Sequence, residues 1–177
     1  AAYEHRRRPD YFSSGGPGSG LYKTVDGGET WTRLTKDLPE GIMGRIGIAV
    51  ARSRPVVVYA LIEHKEGGLW RSEDRGESWK RAADTETYRR INTRPFYYSH
   101  IRVDPTNDQV VYVQSTGFHA STDGGQKFRA IGAGIHPDHH ALWINPSNPL
   151  HLIAGNDGGI DVSHDGGKTW LPIQNID

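Results

Sequence analysis

The side chains best able to do chemistry crowd into one short stretch, where His136, Asp138, His139 and His140 fall within five residues. Imidazoles of this kind bind metals and exchange protons near neutral pH. His139 and His140 are adjacent, so on a regular strand they point to opposite faces and cannot both ligate one ion. A metal site would need further ligands, with His100 and Asp157 the candidates. The plainer arrangement has one histidine bonded to a neighbouring sheet and the other facing a central channel, and neither a metal nor any other cofactor is expected. The carboxylates could serve glycoside hydrolysis, which needs two of them about 5–10 Å apart across a cleft. Asp138 and Asp157 are the best placed, and Glu63 or Glu66 could join them. None sits in a motif that marks an acid or a nucleophile, so no catalytic residue is assigned.

A second set of aspartates recurs at regular intervals. The segments GLYKTVDGGETW (20–31), GLWRSEDRGESW (68–79), GFHASTDGGQKF (117–128) and GIDVSHDGGKTW (159–170) share one pattern. Asp26, Asp74, Asp123 and Asp165 are separated by 48, 49 and 42 residues, the length of one four-stranded propeller blade. A group repeated once per blade is explained by turn geometry, because an aspartate can accept bonds from backbone N–H groups of its own turn. The aromatic that closes each copy (Trp31, Trp79, Phe128, Trp170) is expected to bury between sheets. Lys127 stands where the other copies have Thr or Ser, so the third turn should be the weakest.

Between these motifs lie alternating apolar runs joined by polar turns, such as HHALWI (139–144), NPSNP (145–149) and LHLIAG (150–155). Period-two alternation with Asn-Pro and Asp-Pro punctuation predicts strand, turn, strand. The expected fold is all-β: a partial β-propeller of four-stranded antiparallel blades, about three and a half in number, with the aspartate turns between strands C and D. Blade one is partial over 1–37, blade two spans 45–83, blade three 98–131 and blade four 139–174. Almost no helix is expected. In such blades the A–B and C–D turns share one face, and the B–C loops and inter-blade loops share the other. The second face holds the segments 5–20, 39–44, 63–68, 83–98, 132–140 and 155–159, and recognition favours such loops on a rigid frame. Its candidate binding residues are Arg45, Phe96, Tyr97, His100, Asp138, His139, His140, Asn156 and Asp157. Trp143 falls inside a predicted strand and is expected in the core.

Composition narrows the classes. Basic and acidic residues balance at 21 each, so no overall field draws the chain to nucleic acid. The one basic run, Arg6-Arg7-Arg8, reads as a solvated loop. The absence of cysteine excludes disulfides and thiolate chemistry. No apolar window is long enough to span a membrane.

The S-x-D-x-G-x-[ST]-W pattern resembles the Asp box, or bacterial neuraminidase repeat. With GRIGIAV (44–50), RPFYYSHIRVDP (94–105) and the segment 135–160, the chain resembles large bacterial sortilin-like or glycosyl-hydrolase-type repeat proteins. That resemblance implies the propeller fold, a protein or carbohydrate ligand, and a place outside the cytoplasm, whether secreted, periplasmic or on the cell surface. It implies an activity only weakly, since one fold hosts many functions: a non-catalytic binding or scaffold segment is expected, with a glycoside hydrolase of the repeat type or a structural subunit of a larger extracytoplasmic assembly as the alternatives. Sialidase chemistry would enlist Arg45, Arg94 and Tyr97, but their spacing gives no support. Rings of this kind close with seven or more blades. Further blades are therefore expected from additional sequence, another chain or self-association.

Overall fold

The computed structural model describes residues 1–173; the last residue of the expected fourth blade, 174, lies outside the described residues. The chain is a succession of antiparallel meanders. A hairpin of β1 (His5–Arg8) and β2 (Tyr11–Ser14) comes first, then a two-stranded sheet of β3 (Leu21–Lys23) and β4 (Thr32–Leu34). Three four-stranded sheets follow. They are β5 (Ile46–Val50), β6 (Val58–Ile62), β7 (Gly68–Ser72) and β8 (Lys80–Ala83); β9 (His100–Val103), β10 (Val111–Gln114), β11 (Phe118–Ser121) and β12 (Arg129–Ala130); and β13 (His139–Ile144), β14 (Leu152–Asn156), β15 (Gly159–Ser163) and β16 (Leu171–Pro172). Each pairs its strands in chain order, as the blades of a partial β-propeller do.

Apolar residues of successive sheets interleave. Leu21 and Leu38 pack with Ile46, Ala60, Ile62 and Trp79 between the first and second blades. Tyr59, Leu61 and Leu69 meet Ile101, Val111 and Phe128 between the second and third. Tyr112, Phe118 and Ala120 meet Leu142, Leu152 and Ala154 between the third and fourth. The strands nearest the axis approach closely. Gly47 of β5 lies against the Ser99 carbonyl, leaving no room for a Cβ.

The aspartate turns are equivalent hairpin corners. Ser72, Ser121 and Ser163 each donate a hydroxyl bond to the aspartate two residues on, and Thr24 does the same for Asp26. Each aspartate also accepts the backbone N–H four residues ahead. The hydroxyls of Thr30, Ser78 and Thr169 complete three of these turns. In the third, Lys127 supplies only its backbone N–H to Asp123, and the Gln126 N–H donates where the other copies use a hydroxyl. The donors hold the carboxyls well below the ordinary aspartate range, led by the Thr24 hydroxyl at Asp26, the Ser78 hydroxyl at Asp74 and the Thr169 backbone at Asp165. Each complete blade then ties this corner to its own A–B turn. The backbone N–H groups of Arg75, Gly124 and Gly166 donate to the carbonyls of Val56, Gln109 and Leu150 at 2.9 Å each. Those donors adopt positive φ, which costs glycine nothing and strains Arg75, at φ 60°.

Several expectations are corrected. Residues 5–14 form a hairpin, so Arg6, Arg7 and Arg8 lie on a strand and not in a loop. The segment 83–98 contains a helix, α1 (Thr85–Ile91), capped by the Asp84 carboxylate on the Thr87 N–H, with Tyr88 and Ile91 buried three residues apart. Trp31 is 59% exposed whereas Trp79 is 5% exposed. The aromatic of each corner packs toward the preceding sheet, and among the described residues none precedes Trp31 on that side. Trp143 is 47% exposed for the reciprocal reason. It begins a row, Trp143–Ile153–Val162–Leu171, aligned by strand register across the outer face of the last sheet.

Candidate functional site on the loop rim

The strands β5, β9 and β13 bring the starts of three blades together, which places Arg45, His100 and His140 at one rim. Tyr97 and Tyr98 join them from the loop after α1. The ring of His140 lies 5.5 Å from Tyr98, 5.9 Å from Tyr97 and 6.4 Å from His100. The Arg45 guanidinium donates to the Tyr97 carbonyl at 2.8 Å and fixes the loop that carries these tyrosines.

Two carboxylates close the cluster. Asp157 accepts from His140 Nε2 at 2.8 Å, and Asp138 accepts the Tyr98 hydroxyl. The Asp157 N–H also donates to the Asp138 carbonyl at 3.3 Å, so the two residues are backbone neighbours. Asp138 and Ser99 both hold positive φ (65° and 60°), and so does Arg94 at 55°. Non-glycine residues in that region mark stored backbone strain, and here they flank the cluster.

His139 and His140 part company through a β-bulge. His139 pairs with Asn156 and Ala141 with Gly155, which leaves His140 as the extra residue, turned toward the rim. His139 points inward, 1% exposed and 5.1 Å from the Phe118 ring. It is therefore withdrawn from the surface on which it was expected to bind. Burial pushes its imidazole down to about 4, against the opposing charges of Asp161 and Asp138. His100 is likewise brought to about 4 by burial, aided by Arg45 and Arg102. Both rings are neutral near pH 7.

The remaining candidates divide. Phe96 packs 4.8 Å from Phe12 of the first hairpin, and Tyr97 is 52% exposed. Asn156 spends its amide on Asp161 at 2.8 Å and its oxygen on the Gly158 N–H at 2.9 Å, closing its own hairpin. Glu63 is occupied by the Ser14 hydroxyl at 2.6 Å and the Arg45 N–H at 2.8 Å. His136 turns to its neighbour's carbonyl, accepted by Pro137 at 2.8 Å. Among the described residues no three His, Asp or Glu side chains converge as metal ligands would. Sequence reading passed over Tyr98 as a site residue, and nothing in a Tyr-Tyr pair distinguishes the buried ring from the exposed one. Burial, followed by the bond to Asp138, holds the Tyr98 phenol well above its ordinary value.

No family model matches the chain, and no curated protein does. Solved structures of propellers do. The GH74 enzyme of Niastella koreensis superposes with a TM-score of 0.62 at 18% identity, over 73% of this chain and 22% of that one. The GH74 xyloglucanase of Xanthomonas campestris matches at TM-score 0.62 and 18% identity, over 89% of this chain and 28% of that one. YCF48 bound to a D1 peptide matches at TM-score 0.54 and 15% identity, over 85% and 45% respectively. The chain spans less than a third of either GH74 enzyme and under half of YCF48. At such identities the likeness defines the fold, a β-propeller. No helix among the described residues is long and apolar enough to cross a membrane.

Proposed function

We propose that the chain is a non-catalytic recognition segment of an Asp-box propeller, binding protein or glycan through the loop rim around Tyr97, His100 and His140. The observation that carries this reading is the engagement of both rim carboxylates: Asp138 accepts from Tyr98, and Asp157 accepts from His140. A hydrolase would need one of them free to protonate a leaving group and the other free to attack or to activate water. The bonds that tie them down instead make a rigid rim of rings and fixed polar groups. The YCF48 propeller, with its D1 peptide, and the GH74 xyloglucanase offer precedents for the two ligand classes. A place outside the cytoplasm, and further blades covering the open sheet faces, belong to the same proposal.

The adjacency of Asp138 and Asp157 favours one second reading, a glycoside hydrolase. Incubation with xyloglucan oligosaccharides separates the two. Binding without release of reducing ends supports recognition. Release that is abolished in Asp138→Asn or Asp157→Asn would establish hydrolysis.

A further inference from the structure

A second concavity adjoins the rim on the side of the first hairpin. The strand β1 and the residues before it border the second blade, and Tyr3, His5, Arg7 and Arg8 face the concavity. Arg7 is paired in register with Phe12, whose ring meets Phe96 at 4.8 Å, and Ser14 reaches across to Glu63. The hairpin therefore folds over the loop 94–97, and a cavity of about 860 Å³ opens between them. Four arginines line it, Arg7, Arg8, Arg45 and Arg94, and among the described residues its lining contains no carboxylate.

In a chain whose charges balance, a cavity with four guanidiniums and no acid is a local field of one sign. Arg45 is committed to backbone carbonyls. Among the described residues Arg7, Arg8 and Arg94 have no carboxylate within ion-pair distance. Guanidinium forks of this kind match carboxylates with two parallel hydrogen bonds. The apolar part of the wall is made of rings, with Phe12, Phe96 and Tyr97 all partly exposed. Their flat faces suit the C–H faces of sugar rings, and the volume suits more than one of them.

We propose that this cavity binds an acidic oligosaccharide, with Arg7, Arg8 and Arg94 taking its carboxylates and Phe96 and Tyr97 its ring faces. The site borders the rim and shares Tyr97 and Arg45 with it, but its free charge comes from the hairpin and the 94–97 loop, and it needs neither Asp157 nor His140.

Calorimetric titration with a hexagalacturonate oligosaccharide tests it, with a neutral xyloglucan oligosaccharide and a hexaglutamate peptide as comparisons. The expected result is binding of the hexagalacturonate alone, weakened about 10- to 100-fold in the double variant Arg7→Gln/Arg94→Gln and further weakened by added salt. These side chains are exposed, and an unchanged melting temperature checks that the variant folds. Asp157→Asn, which alters the rim, should leave hexagalacturonate binding intact; its loss there would overturn the separation of the two sites. Equal or tighter binding of hexaglutamate would assign the cavity to acidic peptides and overturn the proposal. Absence of hexagalacturonate binding, or binding indifferent to the arginine variants, would overturn it as well.

Discussion

The indole of Trp170 donates its N–H to the carbonyl of Ile131 at 2.6 Å, across the boundary between the third and fourth blades. The corner aromatic thus joins two blades as well as closing its own hairpin. Trp79 is buried in the equivalent place against the first blade, while Trp31 lies open. Trp79→Ala should cost about 3–5 kcal/mol, the loss for a large buried ring. Trp31→Ala, at the same motif position, should cost less than about 1 kcal/mol. Urea denaturation of both variants checks the contrast.

The third corner can be repaired. Lys127→Thr would supply the hydroxyl that Thr30, Ser78 and Thr169 give their aspartates. A solvent-facing bond of this type contributes about 0.5 kcal/mol, so the melting temperature should rise by about 1–2 °C. A fall would mean that the lysine's attraction to Asp123 outweighs the missing bond.

The close approach at the axis predicts an intolerant glycine. Gly47→Ala would drive a methyl group into the Ser99 carbonyl oxygen, and backbone on both sides cannot yield as a flexible side chain would. The expected loss is about 1–3 kcal/mol. Alanine at Gly134, whose Cβ would meet no atom within 4 Å beyond its chain neighbours among the described residues, should show only the smaller penalty of its positive φ.

Much of this was legible in the sequence. The corners were, because Asp26, Asp74, Asp123 and Asp165 recur with the same donors at blade spacing. Strand positions followed from alternation. The hairpin at 5–14 was missed because three successive arginines mask alternation, although Pro9-Asp10 is a turn signal. The helix was missed because α1 is too short to show a period; its one local cue was Asp84 three residues before Thr87. At the rim, the positions of Arg45, His100 and His140 followed from strand order. The inward turn of His139 did not, since it depends on a bulge that no local pattern announces.

Acid should weaken the fold in two stages. His139 and His100 hold folded-state values of about 4, against about 6.5 for an unfolded histidine. Between those values the unfolded chain binds more protons, so stability falls as pH drops from about 6.5 to 4. Below about 4 the corner aspartates add to the loss, since their folded values lie beneath the ordinary one. His139→Gln should flatten the first stage by up to one proton, about 1.4 kcal/mol per pH unit. Denaturation midpoints measured at pH 7, 5.5 and 4.5 would show it, and an unchanged slope would count against a neutral buried ring.

The open row on the last sheet makes the two ends of the molecule separately visible. Trp31 and Trp143 place water-bathed indoles at opposite ends of the arc, while Trp70 and Trp79 are shielded. Emission from the first pair should be red-shifted and easily quenched by iodide, and that from the second should not. A sheet seated on either end would move one long-wavelength component to the blue, so replacing Trp31 or Trp143 by phenylalanine in turn would report which end of the arc is being extended.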